Sequence, residues 1–332
     1  MNELIWSQKW TGAQQILHER IKSVNQNLKE NKSNCKIVLF LVDAVDLQTL
    51  ENLAKTYKHV FVVSEHEIAN KWPNVSIYPL PRSFYGAYYF DQDPPQLDID
   101  RKFSFFVNRI EPIRQSWFYM LYQRGWLDEG YVSFNLQSAP LTAIDQSLSE
   151  AIEHGKQEFD NNHFAWLNSF DSIYEAIRKI VPYKNFQEQQ NLCSLIIKSK
   201  FSIILETYFD RTDCRVFSEK TWRNIQLPRP WLLFAATGCV TKLRNMGFNV
   251  FDDYVDHSYD RFDTKESSVA RQEAMLAECE RLWTLPITDS VLTDWDRIAQ
   301  HNRTIMKDWS QTWHVECEEH INQVALLAKH AL

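Results

Sequence analysis

The chain has 332 residues, 44% of them hydrophobic and 14% aromatic, and a formal charge of −7. That length accommodates two packed domains or one large one, and the composition excludes a disordered or fibrous chain. No run of about 18 uninterrupted apolar residues occurs, so no membrane span is expected, and the acidic balance gives no overall attraction to nucleic acid, although a local basic groove stays open.

The opening "MNELIWSQKWTG" lacks the basic start and apolar core of a secretory leader, so a soluble, cytoplasmic protein is expected. The six cysteines (Cys35, Cys193, Cys214, Cys239, Cys279 and Cys317) show no paired short spacing. That pattern speaks against a disulfide framework and a zinc ribbon. With only seven glycines, the chain carries neither GxGxxG nor GxxxxGK[ST]. A phosphorylated ligand would have to be held by side chains and a helix start.

In chain order, "CKIVLFLVDAVD" (35–46) is a near-continuous apolar run, the pattern of a strand buried on both faces. "LQTLENLAKTY" (47–57) has helical spacing and "KHVFVVSEHE" (58–67) reads as the next strand. Together they predict one β-α-β unit and a parallel α/β topology. Residues 78–102, rich in Pro, Asp and aromatics, read as a linker. Strand "FSFFVNR" (103–109), helix "QSWFYMLYQRGWL" (115–127, ending near Gly125) and strand "GYVSFN" (130–135) follow, and residues 140–200 read as polar and mostly helical. "FSIILET" (201–207) predicts a strand ending in Glu206, and Ser218 an N-cap for a helix from Glu219 to about Gln226. "RPWLLFAATG" (229–238) predicts a strand, "CVTKLRNMG" (239–247) a helix closed by Gly247, and "FNVFDDYVD" (248–256) the start of a short strand. From about 265 onward the pattern is that of long amphipathic helices. Three regions are expected: an α/β domain over 1–100, a second α/β domain over 101–264, and a helical segment over 265–332.

Ligands of open α/β sheets bind at the carboxyl ends of strands, where Glu206 and the 218–220 turn are expected. The amides of a helix start favour an anion, and Lys220 adds a full positive charge. Glu219 can accept hydrogen bonds from vicinal hydroxyls such as those of a ribose. Acid and base side by side suit a nucleotide or nucleotide sugar. The same residues also suit a plain cap, with Ser218 as N-cap and Glu219 as a first-turn acid.

The block "SIILETYFDRTDCRVFSEKTWRNIQLPRPWLLFAATG" resembles the nucleotide-sugar-binding part of GT-B glycosyltransferases, most closely the fucosyltransferase family that uses GDP-fucose. Upstream, "FSFFVNRIEPIRQSWFYMLYQRG" resembles that family's strand-Asn-loop-Pro-x-Arg-helix entry, with Asn108, Pro112 and Arg114 at the matching positions. Both blocks also resemble uncharacterised phage and bacterial sequences, which would place the chain in the host cytoplasm if its source is viral. The resemblance covers about a third of the chain and leaves residues 1–100 unmatched; "LPRPW" replaces a small-residue stretch of the fucosyltransferases. It implies a GT-B-like α/β fold, two Rossmann-like domains with a cleft between them and a helical C-terminal tail. It implies that Arg114 and Lys220 contact the donor diphosphate and Glu219 the ribose, with Asn108, Glu206 and Ser218 also at the donor. The activity implied is metal-independent sugar transfer from a nucleotide-diphosphate donor to an acceptor hydroxyl, with no cofactor beyond the nucleotide-sugar co-substrate.

Such a transfer needs a base for the acceptor hydroxyl. Glu65, His66 and Glu67 follow one predicted strand end of the first domain, Asp43 and Asp46 another; Glu65 is the chosen base. The acceptor is a saccharide or other small molecule. A hydroxymethylated base of viral DNA is an alternative that the acidic charge disfavours, and a non-catalytic nucleotide-sugar-like binding protein is another. A homodimer through the helical tail is left open. Asp91–Asp93 and Asp98–Asp100 imitate a metal-holding Asp-x-Asp but are ordinary linker composition. His314, Cys317 and His320 match no standard zinc spacing. Arg211, Arg215, Arg223 and Arg229 could line a basic groove, or simply be solvated.

Overall fold

Apolar runs long enough to be strands but without alternation can be buried only between two layers, and here they become parallel sheets. The computed structural model describes residues 19, 21–27, 35–40, 47–64, 71–79, 94, 96–107, 114, 117, 118, 120, 121, 124–134, 189–206, 217–261 and 267–330. The first elements are β1 (Cys35–Phe40), α1 (Leu47–Thr56), β2 (His59–Ser64), β3 (Val75–Pro79), β4 (Arg101–Val107) and β5 (Gly130–Phe134). They are followed by α2 (Gln189–Ile197), β6 (Ser199–Leu205), α3 (Glu219–Asn224), β7 (Trp231–Phe234), α4 (Cys239–Asn245), α5 (Ser267–Thr284) and α6 (Asp289–His330). The fold is α/β, and the residues divide into two compact units.

One unit draws on residues 5–93, 211–226 and 300–332. Its sheet has the order β1-β2-β3, every pairing parallel. Leu50 of α1 is fully buried with Val60, Val62 and Val75, while Phe61 and Val63 are buried as well, so β2 is covered on both faces. Asn25 caps the free edge of β1: its amide nitrogen donates to the Ile37 carbonyl (2.8 Å) and its amide oxygen accepts from the Ile37 N–H (2.9 Å). A side-chain amide thus takes the place of a neighbouring strand. Asn74 closes α1 by donating to the Ala54 and Tyr57 carbonyls. β3 corrects the linker expected from residue 78 onward. It is five residues long and ends in proline, tolerated at the end of an edge strand that has only β2 as partner.

The other unit draws on residues 94–210 and 227–299. Its sheet has the order β5-β4-β6-β7, again wholly parallel. Every residue of β6 is buried. Two polar side chains inside this sheet satisfy each other: Ser104 and Ser202 stand opposite in register with their hydroxyl oxygens 2.8 Å apart.

The expected strand over 248–256 does not form. Asn249 Oδ1 accepts from the Phe251 N–H at 2.9 Å, Phe251 adopts φ 63°, and the Tyr254 and Val255 amides both return to the Phe251 carbonyl. Local side-chain bonding turns the backbone, while Phe248, Val250, Phe251 and Val255 are still buried one by one. No helix among the described residues is long and apolar enough to cross a membrane.

Candidate functional site

The order β5-β4-β6-β7 contains one reversal. From β4 the chain moves outward to β5, then returns to the other side of β4 to lay down β6 and β7. The crevice at such a reversal, outside the carboxyl ends of the two strands flanking it, is where open α/β sheets take ligands. Those ends are Val107 of β4 and Leu205 of β6. Two of the expected site residues come after them in sequence: Arg114, a helical residue seven positions past Val107, and Glu206, the residue after β6.

Both are buried, Arg114 to 2% and Glu206 to 4% exposure. The Glu206 N–H donates to the carbonyl of Phe234, the last residue of β7, at 2.9 Å. Trp117, one turn after Arg114, packs edge-on against the Phe234 ring with centroids 5.7 Å apart. The Arg271 guanidinium lies 4.6 Å from the same ring centroid and donates to the Ala235 carbonyl at 2.8 Å. Trp117, Glu206 and Arg271 thus meet at Phe234, at the carboxyl end of β7, and Arg114 lies three residues before Trp117. A cation and an acid enclosed at a strand-order reversal are rare in a core unless paired or functional.

Sequence reasoning missed Arg271 and its neighbour Asp260. Asp260 Oδ2 accepts from the Val240 and Thr241 amides at 3.0 and 3.3 Å and so caps α4, whose own N-cap residue is Gly238. Burial pushes its carboxyl up to about 6 despite those amides and the nearby Arg271. No local signal could have found either, because each acts across a separation of tens of residues that only the fold closes.

Ser218, Glu219 and Lys220 belong to the other unit. Ser218 is extended (φ −88°, ψ 178°) and its Oγ accepts from the Lys220 N–H at 3.3 Å, an N-cap bond. Lys220 Nζ donates to Glu219 Oε1 at 3.1 Å. Burial raises the Glu219 carboxyl, but Lys220, with help from Arg223, brings it below its ordinary value. The motif is therefore a cap carrying an internally neutralised acid-base pair. Asn108 and the chosen base, Glu65, lie outside the described residues.

Of the other constellations, Asp91–Asp93 and the His314 and Cys317 side chains lie outside what the structure describes. Arg229 is buried, not solvated: its guanidinium donates to the carbonyls of Ser199, Pro228 and Leu97 at 3.0, 2.6 and 3.2 Å. Arg223 is also buried, while Arg211 and Arg215 lie outside the described residues. Asp100 accepts from the Tyr131 hydroxyl at 2.7 and 2.9 Å and stands just before β4, at the amino edge of the sheet. Burial and that carboxylate push the Tyr131 hydroxyl up to about 12. His320 meets the Tyr78 ring edge-on at 5.9 Å. Among the described residues no group of three His, Cys, Asp or Glu could hold a metal ion. Compared with protein-family models, with curated proteins and with solved structures, the chain matches none.

Proposed function

We propose that the chain is a glycosyltransferase that moves a sugar from a nucleoside-diphosphate donor to an acceptor hydroxyl. On this reading the two parallel-sheet units are the Rossmann-like domains of a GT-B enzyme. The observation that supports it is the burial of Glu206 at the carboxyl end of β6, and of Arg114 on the segment that follows β4, the two strands that flank the strand-order reversal. The resemblance of the two quoted blocks to fucosyltransferases assigns the same residues to the donor.

The chemistry asked of these residues is limited. The bond between the anomeric carbon and the phosphate oxygen breaks, and its electron pair leaves with the diphosphate. The acceptor oxygen forms the new bond, and its proton passes to the base, Glu65 in this reading. The resemblance gives Arg114 and Lys220 the role of offsetting the charge that develops on the leaving diphosphate. Glu219 binds the ribose, Asn108 and Glu206 line the donor pocket, and Ser218 holds the start of α3. Lys220 already faces a carboxylate oxygen; binding exchanges that anion for a phosphate.

The test is a thermal-shift screen against UDP, GDP, ADP, CMP and their common sugar conjugates, repeated with Glu206→Gln and Lys220→Met. One nucleotide is expected to raise Tm by a few degrees at saturation. The shift should vanish in both variants, whose unliganded transitions remain cooperative. No shift with any of them contradicts the reading.

A further inference from the structure

Two titratable side chains outside the donor site are buried three residues apart on the segment that follows α4. His257 is 5% exposed and Asp260 3%. Hydrogen bonding fixes the proton of His257. Its Nε2 lies 2.7 Å from the Val250 carbonyl oxygen, which can only accept, so Nε2 carries the hydrogen. Nδ1, 2.8 Å from the Tyr259 hydroxyl, therefore accepts from it. That hydroxyl in turn accepts from the Leu233 N–H of β7 at 3.0 Å. The chain of bonds closes only around a neutral ring. A second ring proton would aim two donors at one phenol oxygen and leave the phenol hydrogen without an acceptor.

Asp260 has the opposite preference. Its Oδ2 holds the two amides of α4, whereas Oδ1 is buried and takes no hydrogen bond. A proton on Oδ1 breaks neither of the two Oδ2 bonds; it is opposed by the α4 amides and the Arg271 charge and favoured by burial. We propose that residues 250–261 form a proton-compensated clasp on β7 and α4: the ring that must stay neutral and the carboxyl with an open oxygen oppose each other, so mild acid leaves the docking of this segment unchanged. The clasp stands independently of the donor reading, although the strand it grips is the one that bonds Glu206.

The charged groups facing His257 are Arg244 of α4, Asp252 of the preceding turn and Glu278 of α5; Arg271 of α5 faces Asp260. Arg244 and Asp252 form an ion pair at 2.6 Å, which cancels most of their field. Burial holds the His257 ring below its usual value and lifts the Asp260 carboxyl. As pH falls through the ordinary imidazole range, the unfolded chain takes up the His257 proton first and stability drops. As pH falls through about 6, the folded chain takes up the Asp260 proton first and stability rises.

The experiment is urea unfolding between about pH 7.5 and 4.5, with the unfolding constants of Asp260→Asn and His257→Gln divided by the wild-type value at each pH. In Asp260→Asn the amide oxygen keeps the cap but the compensating proton is gone. Its ratio is expected to rise on acidification by about tenfold or more, because the unfolding constant changes tenfold for every pH step over which only the folded chain holds the proton. The His257→Gln ratio is expected to fall. Either ratio staying constant across the range overturns the clasp. Should a variant fail to fold, an NMR titration of His257 in the wild-type protein decides: no midpoint near about 6.5 is expected, and a midpoint there overturns the proposal.

Discussion

Arg229 shows how far a single side chain can be from its expected role. Four arginines around the α3 motif suggested a basic groove, yet this one is 5% exposed with its donors on the carbonyls of three separated residues. Burial lowers its guanidinium to about 10, so it remains charged at neutral pH. Arg229→Met keeps the volume and strands two buried carbonyls, those of Ser199 and Pro228, beside the part-buried one of Leu97. At about 1 kcal/mol or more for each buried one, a loss of about 2 kcal/mol or more is expected in urea unfolding, and a loss under about 1 kcal/mol contradicts the clamp. Gly130 is a second case. It pairs in register with Phe103, and a Cβ there would stand 2.6 Å from the Phe103 ring. Phe103 is itself fully buried against Phe201 and Trp283, so it has little room to yield. Gly130→Ala is expected to cost about 1–3 kcal/mol by overpacking, read as a lowered Tm. Composition can suggest that arginines and glycines matter, but the partners that decide how lie far away in sequence.

At the level of the element, α3 is six residues long, too short to persist without help at its ends. Ser218 caps its start. Just beyond its end, Asn302 donates to the Ile225 carbonyl at 2.7 Å and Arg303 to the Gln226 carbonyl at 3.0 Å. Ser218→Ala is expected to cost about 1 kcal/mol. Deleting the chain from residue 300 onward removes both donors, so the α3 amides are expected to exchange with solvent faster; unchanged exchange contradicts this bracing role. The Glu219–Lys220 pair gives a pH dependence. Glu219 is held below its ordinary value, so its contribution is present above about 4.5 and disappears as pH falls below it. Lys220→Met is expected to destabilise at neutral pH and to lose less than wild type on acidification below about 4.5.

Elements with a continuous apolar run and a clear breaker were legible in the sequence. β1, α1 and β2 lie within the predicted segments, and Ser218 makes the predicted cap. β3 was hidden because five residues ending in proline resemble a linker. The strand expected over 248–256 was lost to Asn249, whose side chain accepts from the Phe251 N–H and turns the backbone there.

On the scale of the whole molecule, each unit holds one parallel sheet among the described residues, and the chain passes from one unit to the other at 4–5, 93–94, 210–211, 226–227 and 299–300. The alternation of strands and helices announced the α/β class. The reversal that makes the candidate site was not legible, because it depends on β6 returning to pair with β4 across residues 108–198. What could be read was which side chains come after the two strands: Arg114 and Glu206 are both buried. The most direct measurement is hydrogen exchange by mass spectrometry, with and without the nucleoside diphosphate that gives the largest thermal shift. Protection is expected in peptides spanning 107–118 and 203–208. Unchanged exchange at the β4 and β6 ends, with protection confined to other peptides, would contradict a donor site at the strand-order reversal.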